Sequence, residues 1–340
     1  MKDTANIVCS MDEDEKELFG LNQETEYEEN FTPDTLMLGG QPILHKLGAV
    51  SGNRESSPFV WKGRYMRLEV VCESGALDLN DPSIHALIRD VEAGEVVSRI
   101  APRCYYHSCF VDGDTVYVLG TALNHPQVFC GDSIMLFSSK NLKNWEEREL
   151  LHCPGFTMFN TSLTYDESRY VLAVECREPV ELAGDHPFTC IFFTSEDLVE
   201  WTMLPAECAY PKDRYIGGPY LTYDAGYYYL FGVTELPCYR FNTYVTRTAD
   251  LRHWEVGHYN PFIYVTPEDR MLSPYAADIS TDLRQKIPVA FLSSLSDMDM
   301  CEYNGKTRLT YNVGNQMGFA YIAEAEYNGP KSEFLQSLFR

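Results

Sequence analysis

Four carboxylates fall where short apolar runs begin or end, and their types and spacing suggest acid/base chemistry. Glu55 stands in RESSPFVW, directly before an apolar run, and Asp297 stands in SDMDM at the start of another. Glu175 and Glu235 each follow a run rich in tyrosine or β-branched residues. One carboxylic acid that protonates a leaving oxygen, and one carboxylate that activates water or attacks carbon, are what cleavage of a glycosidic bond requires. Glu55, Asp297 and Glu175 form the expected acidic set, and Glu235, one repeat on, rivals Glu175 as the acid. A hydroxyl-rich ligand also needs polar partners, for which Arg54, His107, Asn160, Arg177, Glu235, His125 and Gln316 are the candidates. Trp61, Tyr105, Tyr106 and Phe159 offer aromatic faces to sugar C–H groups. His107 is a further proton donor, because histidine titrates near neutrality. Arg54 and Arg177 could hold a ligand carboxylate or neutralise nearby acids. Plainer roles compete with these: Asp297 as a turn cap, Glu175 in a loop ion pair, and His107 bonded to backbone in the core. No His, Asp or Cys cluster has ligand spacing, so no metal and no other cofactor is expected.

These residues can meet only if the strands that carry them converge. The chain repeats one unit: FSSKNLKNW ends at Trp145, FTSEDLVEW at Trp201 and TRTADLRHW at Trp254, a pitch of 56 and then 53 residues. The first half of the unit recurs from Ser56, His107, Asn160, Gly218 and Asp297 as an apolar strand, a Gly/Asp/Asn turn and a second β-rich strand. That is the text of an antiparallel hairpin. Helical periodicity is confined to Ser280 to Ile287 and Lys331 to Phe339. Five units of four strands repeated radially predict an all-β, five-bladed propeller. In blade one, Asp81 to Ile100 replaces the Trp signature, and blade five ends at Phe319 to Tyr327 without one, as terminal repeats often do. Leu36 to Leu47 reads as a strand that docks on the main fold and closes the ring. One domain is expected over 36–340, after an acidic, partly disordered lead-in over 1–35.

In such a ring each inner strand begins, and each second strand ends, on one face. The expected axial residues are therefore Arg54, Glu55, His107, Asn160, Gly217, Gly218 and Asp297 from strand starts. Glu69, Asn124, His125, Glu175, Arg177, Glu235, Asn315 and Gln316 come from second-strand ends. Asp297 and Asp299 alternate along a strand, so only Asp297 is expected to reach the axis.

Composition narrows the partners. The 340 residues are 45% hydrophobic, enough for a substantial core, and carry a formal net charge of -23. A phosphate backbone is bound by clustered Lys and Arg, so nucleic acid is not the expected partner. No apolar run is long enough for a membrane span, and the first twenty residues lack the apolar stretch of a signal peptide. The eleven cysteines include no CxxC pair, and several lie in strand-like text. They read as free thiols in a reducing cytoplasm.

The pairing of strand starts such as RESSPFVWKGRY and FNTSLTYDESRY with the SxDLxxW turn resembles the five-bladed propeller glycoside hydrolases, family 43 and its relatives in families 32, 68, 117 and 130. The resemblance covers about 52–316 and implies an axial, carbohydrate-binding catalytic pocket. In the family 43 pattern a base Asp opens the first inner strand, a second Asp tunes a pKa, and a Glu in EGP is the acid. Here Glu55 stands at the first position in ESSP, His107 stands where the tuning Asp is expected, and GGP at Gly217 to Pro219 has Gly in place of the acid. The NDPNG sequence of family 32 is absent, while Glu175-Cys176 is similar to that family's Glu-Cys dipeptide, shifted to a second-strand end. The resemblance implies an exo-acting hydrolase of carbohydrate. A phosphorylase of the same fold, with phosphate held by Arg54, Arg177 and His107, and a non-catalytic glycan-binding propeller are the alternatives.

Overall fold

A computed structural model describes residues 42–72, 81–183 and 188–340. The acidic lead-in and the first residues of the expected docking strand, 36–41, lie outside the described residues.

Among the described residues twenty-one strands are found, and twenty of them build five blades. Blade one is β2 (Ser56–Trp61), β3 (Arg64–Val71), β4 (His85–Asp90) and β5 (Glu95–Ile100). Blade two is β6 (Cys104–Asp112), β7 (Thr115–Ala122), β8 (Ser133–Ser139) and β9 (Glu146–His152). Blade three is β10 (Thr157–Tyr165), β11 (Tyr170–Glu178), β12 (Thr189–Ser195) and β13 (Thr202–Met203). The fourth strand therefore starts after Trp201, and the tryptophan closes the turn before it. Blade four is β14 (Gly217–Asp224), β15 (Tyr227–Leu236), β16 (Arg240–Thr248) and β17 (Glu255–Val256). Blade five is β19 (Ser294–Tyr303), β20 (Lys306–Gly314) and β21 (Ala320–Tyr327), completed by β1 (Leu44–Ser51) from the other end of the chain. The short strand β18 (Leu272–Ala277) adds in parallel outside β1. Inner strands β2, β6, β10, β14 and β19 touch in turn, and β19 returns to β2. The protein is a five-bladed β-propeller.

Local sequence explains the hairpins. Lys62-Gly63, Ala225-Gly226 and Asn304-Gly305 join first to second strands, and both residues of each pair have positive φ. Two left-handed residues are what a two-residue type I′ turn demands, and glycine takes the second at little strain. The tryptophan signature is equally mechanical. Asn141, Asp197 and Asp250 each accept two backbone N–H bonds through Oδ1, from Lys143 and Asn144, Val199 and Glu200, and Arg252 and His253. Leu142, Leu198 and Leu251 turn the chain at φ 55, 64 and 59. Trp145, Trp201 and Trp254 then pack against the preceding blades, and Trp254 stacks on Tyr210 at 4.5 Å between ring centroids. Helices occupy Thr281–Lys286 and Lys331–Ser337, within the two stretches that showed helical periodicity, and a further single turn, Val180–Ala183, lies outside them. None of the ten described cysteines forms a disulfide, and five of them are buried.

The ring is latched where the chain ends meet. Behind the strand pairing of β1 with β21 lies a buried ionic network between blades one and five. Glu69 accepts from Arg67 Nε and Arg89 Nε, each at 3.0 Å, and from Ser51 Oγ and Asn53 Nδ2 at 2.7 and 2.6 Å. Burial opposes the charge on Glu69, yet Arg67, Arg89 and these donors hold its pKa below the usual range. Tyr65 donates to Glu324 of β21 at 2.7 Å, and Arg67 lies between the two carboxylates. Glu69 thus serves closure and does not face the axial pocket. Removing one partner of a buried ion pair leaves an uncompensated charge. Arg67→Ala is expected to destabilise the fold by about 3–5 kcal/mol, measured as a lower urea midpoint; an unchanged midpoint would refute the latch.

Candidate active site

Every inner strand brings an equivalent residue to the same mouth. Glu55, Tyr106, Phe159, Gly218 and Asp297 each lie six residues before the last ladder pair of their hairpin, at Trp61, Asp112, Tyr165, Asp224 and Tyr303. In blades two to five the ladder register shifts at this point. Bulges of this kind re-aim side chains at strand ends. Tyr106, Gly218 and Asp297 have φ of 57, 54 and 50, and a non-glycine residue there is held against local preference. The register shift between Ser296 and Asp299 breaks simple alternation; Asp297 lines the main cavity, while Asp299 borders only the small chamber beneath it.

The mouth opens into a cavity of about 400 Å³ lined by Arg54, Glu55, Tyr105, Tyr106, Phe159, Asn160, Phe188, Tyr215 and Gly218, with Glu175, Ser294, Ser296, Asp297, Asn312, Gln316 and Phe319 among the rest. Glu55, Glu175 and Asp297, from blades one, three and five, share it. Beneath lies a chamber of about 10 Å³ bounded by Glu55, His107, Asn160, Thr161, Pro219, Asp297 and Asp299.

The carboxyls differ in their partners. Glu175 Oε2 accepts from Asn160 Nδ2 at 2.9 Å and from the Gly218 N–H at 3.0 Å. Burial pushes Glu175 up to about 7 against these hydrogen bonds, and the charge of Asp297 adds to the rise. Burial also raises Asp297, opposed by the Ser296 hydroxyl, which donates at 2.6 Å. Asp299 rises to about 7 through burial, with a Ser57 hydrogen bond opposing and Asp297 adding. Glu55 is raised furthest from the usual carboxylate range, first by burial and then by Asp297, Glu175 and Asp299, with Arg54 opposing. Its Oε2 is buried without a hydrogen-bond partner among the described residues. Four carboxyls this close cannot all ionise. Asp297 adds to the rise of the other three, and Glu55 is driven furthest towards its protonated form.

The paired glycines follow from the same crowding. A Cβ on Gly218 would fall on Asp297 Oδ1, and a Cβ on Gly217 would fall on the Tyr215 hydroxyl. The space in which an EGP glutamate would begin is therefore filled from elsewhere.

Several expected site residues stand apart. His107 lies under the floor, in the small chamber, with neither ring nitrogen hydrogen-bonded among the described residues. Burial lowers its pKa to about 3, so it is a neutral imidazole and not a proton donor to the pocket. Arg177 is the extra residue where the β10–β11 register shifts, and the bulge turns it out to solvent. Glu235 is exposed near the tip of the β15–β16 hairpin, which extends past the pocket wall. His125 caps a surface turn, its Nδ1 accepting from Gln127 and Val128 at 3.1 and 2.9 Å, and with Asn124 it borders a separate groove. Trp61 is at the far end of β2, wedged between blades one and two and donating to the Asp114 carbonyl at 2.9 Å. A strand rises by about 3.3 Å per residue, so six residues carry it to the opposite face. Arg54, Asn160 and Gln316 do line the cavity, and Gln316 is tethered to Ser294 at 2.8 Å. Tyr215, Phe188, Asn312 and Phe319 were not foreseen. Tyr215 stands two residues before GGP and Asn312 lies near the end of a second strand, which were their available signals; Phe188 and Phe319 come from loops that carry none.

No family model and no curated protein matches the chain in sequence. In three dimensions it is similar to a GH43 protein from Bacillus licheniformis, with TM-score 0.54 and 14% identity over 83% of this chain, which spans just over half, 54%, of that one. It is similar to an α-L-arabinofuranosidase from Podospora anserina solved in complex with cellotriose, with TM-score 0.58 and 7% identity over 86% of this chain and 98% of the other. A GH32 β-fructofuranosidase from Bombyx mori gives TM-score 0.51 and 12% identity over 83% and 62%. The chain has the propeller fold of these glycoside hydrolases.

The raised carboxyls make a stability prediction. A group whose folded pKa lies above its unfolded value stabilises fully below the unfolded pKa, near 4.5 for Glu55, and that contribution is lost as pH rises towards the folded value. Glu55→Gln is therefore expected to melt higher than the parent by roughly 2 °C or more at pH 8, with a smaller gap at pH 5. A gap that is constant with pH would contradict the charge crowding.

Proposed function

We propose that the protein is an exo-acting glycoside hydrolase whose axial pocket takes the terminal sugar of a glycoside. The observation that carries this reading is the meeting of Glu55, Glu175 and Asp297 from three blades in one aromatic-walled cavity. Glu175, with a pKa of about 7, is poised to hand a proton to the leaving oxygen and recover it. Asp297, anchored by Ser296, is the ionised partner that activates water or attacks the anomeric carbon. Glu55 retains its proton and offers a neutral donor to the sugar. Tyr105, Tyr106 and Phe159 supply faces for C–H groups. The floor formed by His107, Pro219 and Asp299 supports entry from one side and hence attack on a chain end.

A phosphorylase would need cationic groups beside the acid. Of the three expected to hold phosphate, only Arg54 lines the cavity, so hydrolysis is preferred. Because propeller neighbours are named as arabinofuranosidase, xylosidase and fructofuranosidase, 4-nitrophenyl α-L-arabinofuranoside, β-D-xyloside and fructose oligosaccharides form the first panel.

Turnover is expected to be independent of phosphate and bell-shaped in pH. It falls on the alkaline side as Glu175 loses its proton near 7, and on the acid side as Asp297 gains one. Glu175→Gln should lower kcat by about 10²–10⁴-fold and remove the alkaline limb; a retained limb would assign the acid elsewhere. Gly218→Ala places a methyl on Asp297 and should lower kcat/KM by roughly 100-fold, with the circular dichroism of the parent preserved. Parent-like turnover in that variant would show that Asp297 is not held where the reaction needs it.

A further inference from the structure

Gly217 departs from the EGP pattern, and its surroundings show what the departure allows. The residue lies at the start of β14 with an ordinary backbone, so no left-handed φ explains the missing side chain. The explanation is spatial: the Tyr215 hydroxyl occupies the place where a Cβ would stand, with the end of its ring and a Val233 methyl close behind. The Tyr215 ring is fixed by edge contacts with Phe188 and Phe241, at 5.3 and 6.2 Å between centroids. Its side chain lines the cavity shared with Glu175 and Asp297. Burial and the charges of Glu175 and Asp297 push the phenol above its usual range, so it stays O–H. No hydrogen bond from that O–H to another described residue accompanies this placement, whereas the other polar groups around Glu175 are engaged with it.

We propose that Tyr215 is a substrate-contacting donor, whose hydroxyl enters the pocket through the gap left by Gly217 and binds an oxygen of the sugar held between Glu175 and Asp297. A fixed phenol with a free O–H suits a hydroxyl or ring oxygen, and it places a neutral donor where a glutamate in EGP would have placed an acid. The glycine and the tyrosine are then one device: a side chain at 217 and the hydroxyl of Tyr215 exclude each other. This rests on the reading of the pocket as a sugar site.

The test uses the full chain as Tyr215→Phe, Gly217→Ala and the double variant. Calorimetry with D-xylose, L-arabinose and D-fructose reads binding, and the glycoside panel reads turnover. Tyr215→Phe keeps the ring between Phe188 and Phe241, so its melting temperature should match the parent. Its affinity for the bound monosaccharide and its kcat/KM should each fall by about tenfold, the worth of one hydrogen bond to a buried site. Gly217→Ala displaces the hydroxyl and should lose as much, and the double variant no more than either single one, because both remove the same contact. Parent-like affinity and turnover in Tyr215→Phe would overturn the proposal, as would additive losses in the double variant. If the parent binds a monosaccharide but cleaves no glycoside, the hydrolase reading falls and Tyr215 is judged on binding alone. If the parent neither binds nor cleaves, both fall.

Discussion

The axial site exists because the ring closes, and closure depends on pairing the first described strand with the last. β1 supplies the outer strand that blade five lacks, and the Arg67–Glu69–Arg89 cluster with Tyr65 and Glu324 fastens blade one to blade five behind it. A buried carboxylate with two guanidinium partners is costly to desolvate, and Glu69 is tolerated here because both of its oxygens accept hydrogen bonds. Were the seam to open, the strand mouths would no longer face one another. Glu55 and Asp297 stand on either side of that seam, so ring closure also brings these two acidic residues together.

Closure brings like charges into one dry place, and the consequences run through the site. Burial raises all four carboxyls, and Asp297 raises its three neighbours further. What separates them is hydrogen bonding: two N–H donors on one oxygen of Glu175, one hydroxyl on Asp297, and none from a described residue to Oε2 of Glu55. Stability is given up to hold these carboxyls together, because burial and mutual charge disfavour their ionised forms.

The glycines of GGP leave space on blade four that other parts of the ring fill. With no side chain on blade four, Asp297 from blade five and Tyr215 from the preceding loop fill the space. In the proposed hydrolase the acid is then on the second strand of blade three, at Glu175. The fold is shared with glycoside hydrolases at identities of 7 to 16%, so the distribution of acids around the ring has to be argued for this chain from its own contacts.

The sequence alone carried the architecture. Fixed-pitch SxDLxxW turns, hairpin text and two short helical stretches are local signals, each with a local cause in side-chain capping, left-handed turn residues or apolar period, and the five blades could be counted from them. It also named Glu55, Asn160, Glu175, Asp297, Arg54 and Gln316 as pocket residues, because a strand's start and its partner's end share a face. It misplaced Trp61, Glu69, His107, His125, Arg177 and Glu235. Strand position says which end a residue is near, whereas a bulge, a hairpin that outruns the wall, or a register shift decides which way it points. Only the tertiary structure shows that Asp299 and His107 meet in a small chamber beneath the floor, and that Gly217 and Gly218 have no room for a side chain because Tyr215 and Asp297 stand there. Those facts are contacts between blades, and steric exclusion across a ring leaves no periodic trace in one chain.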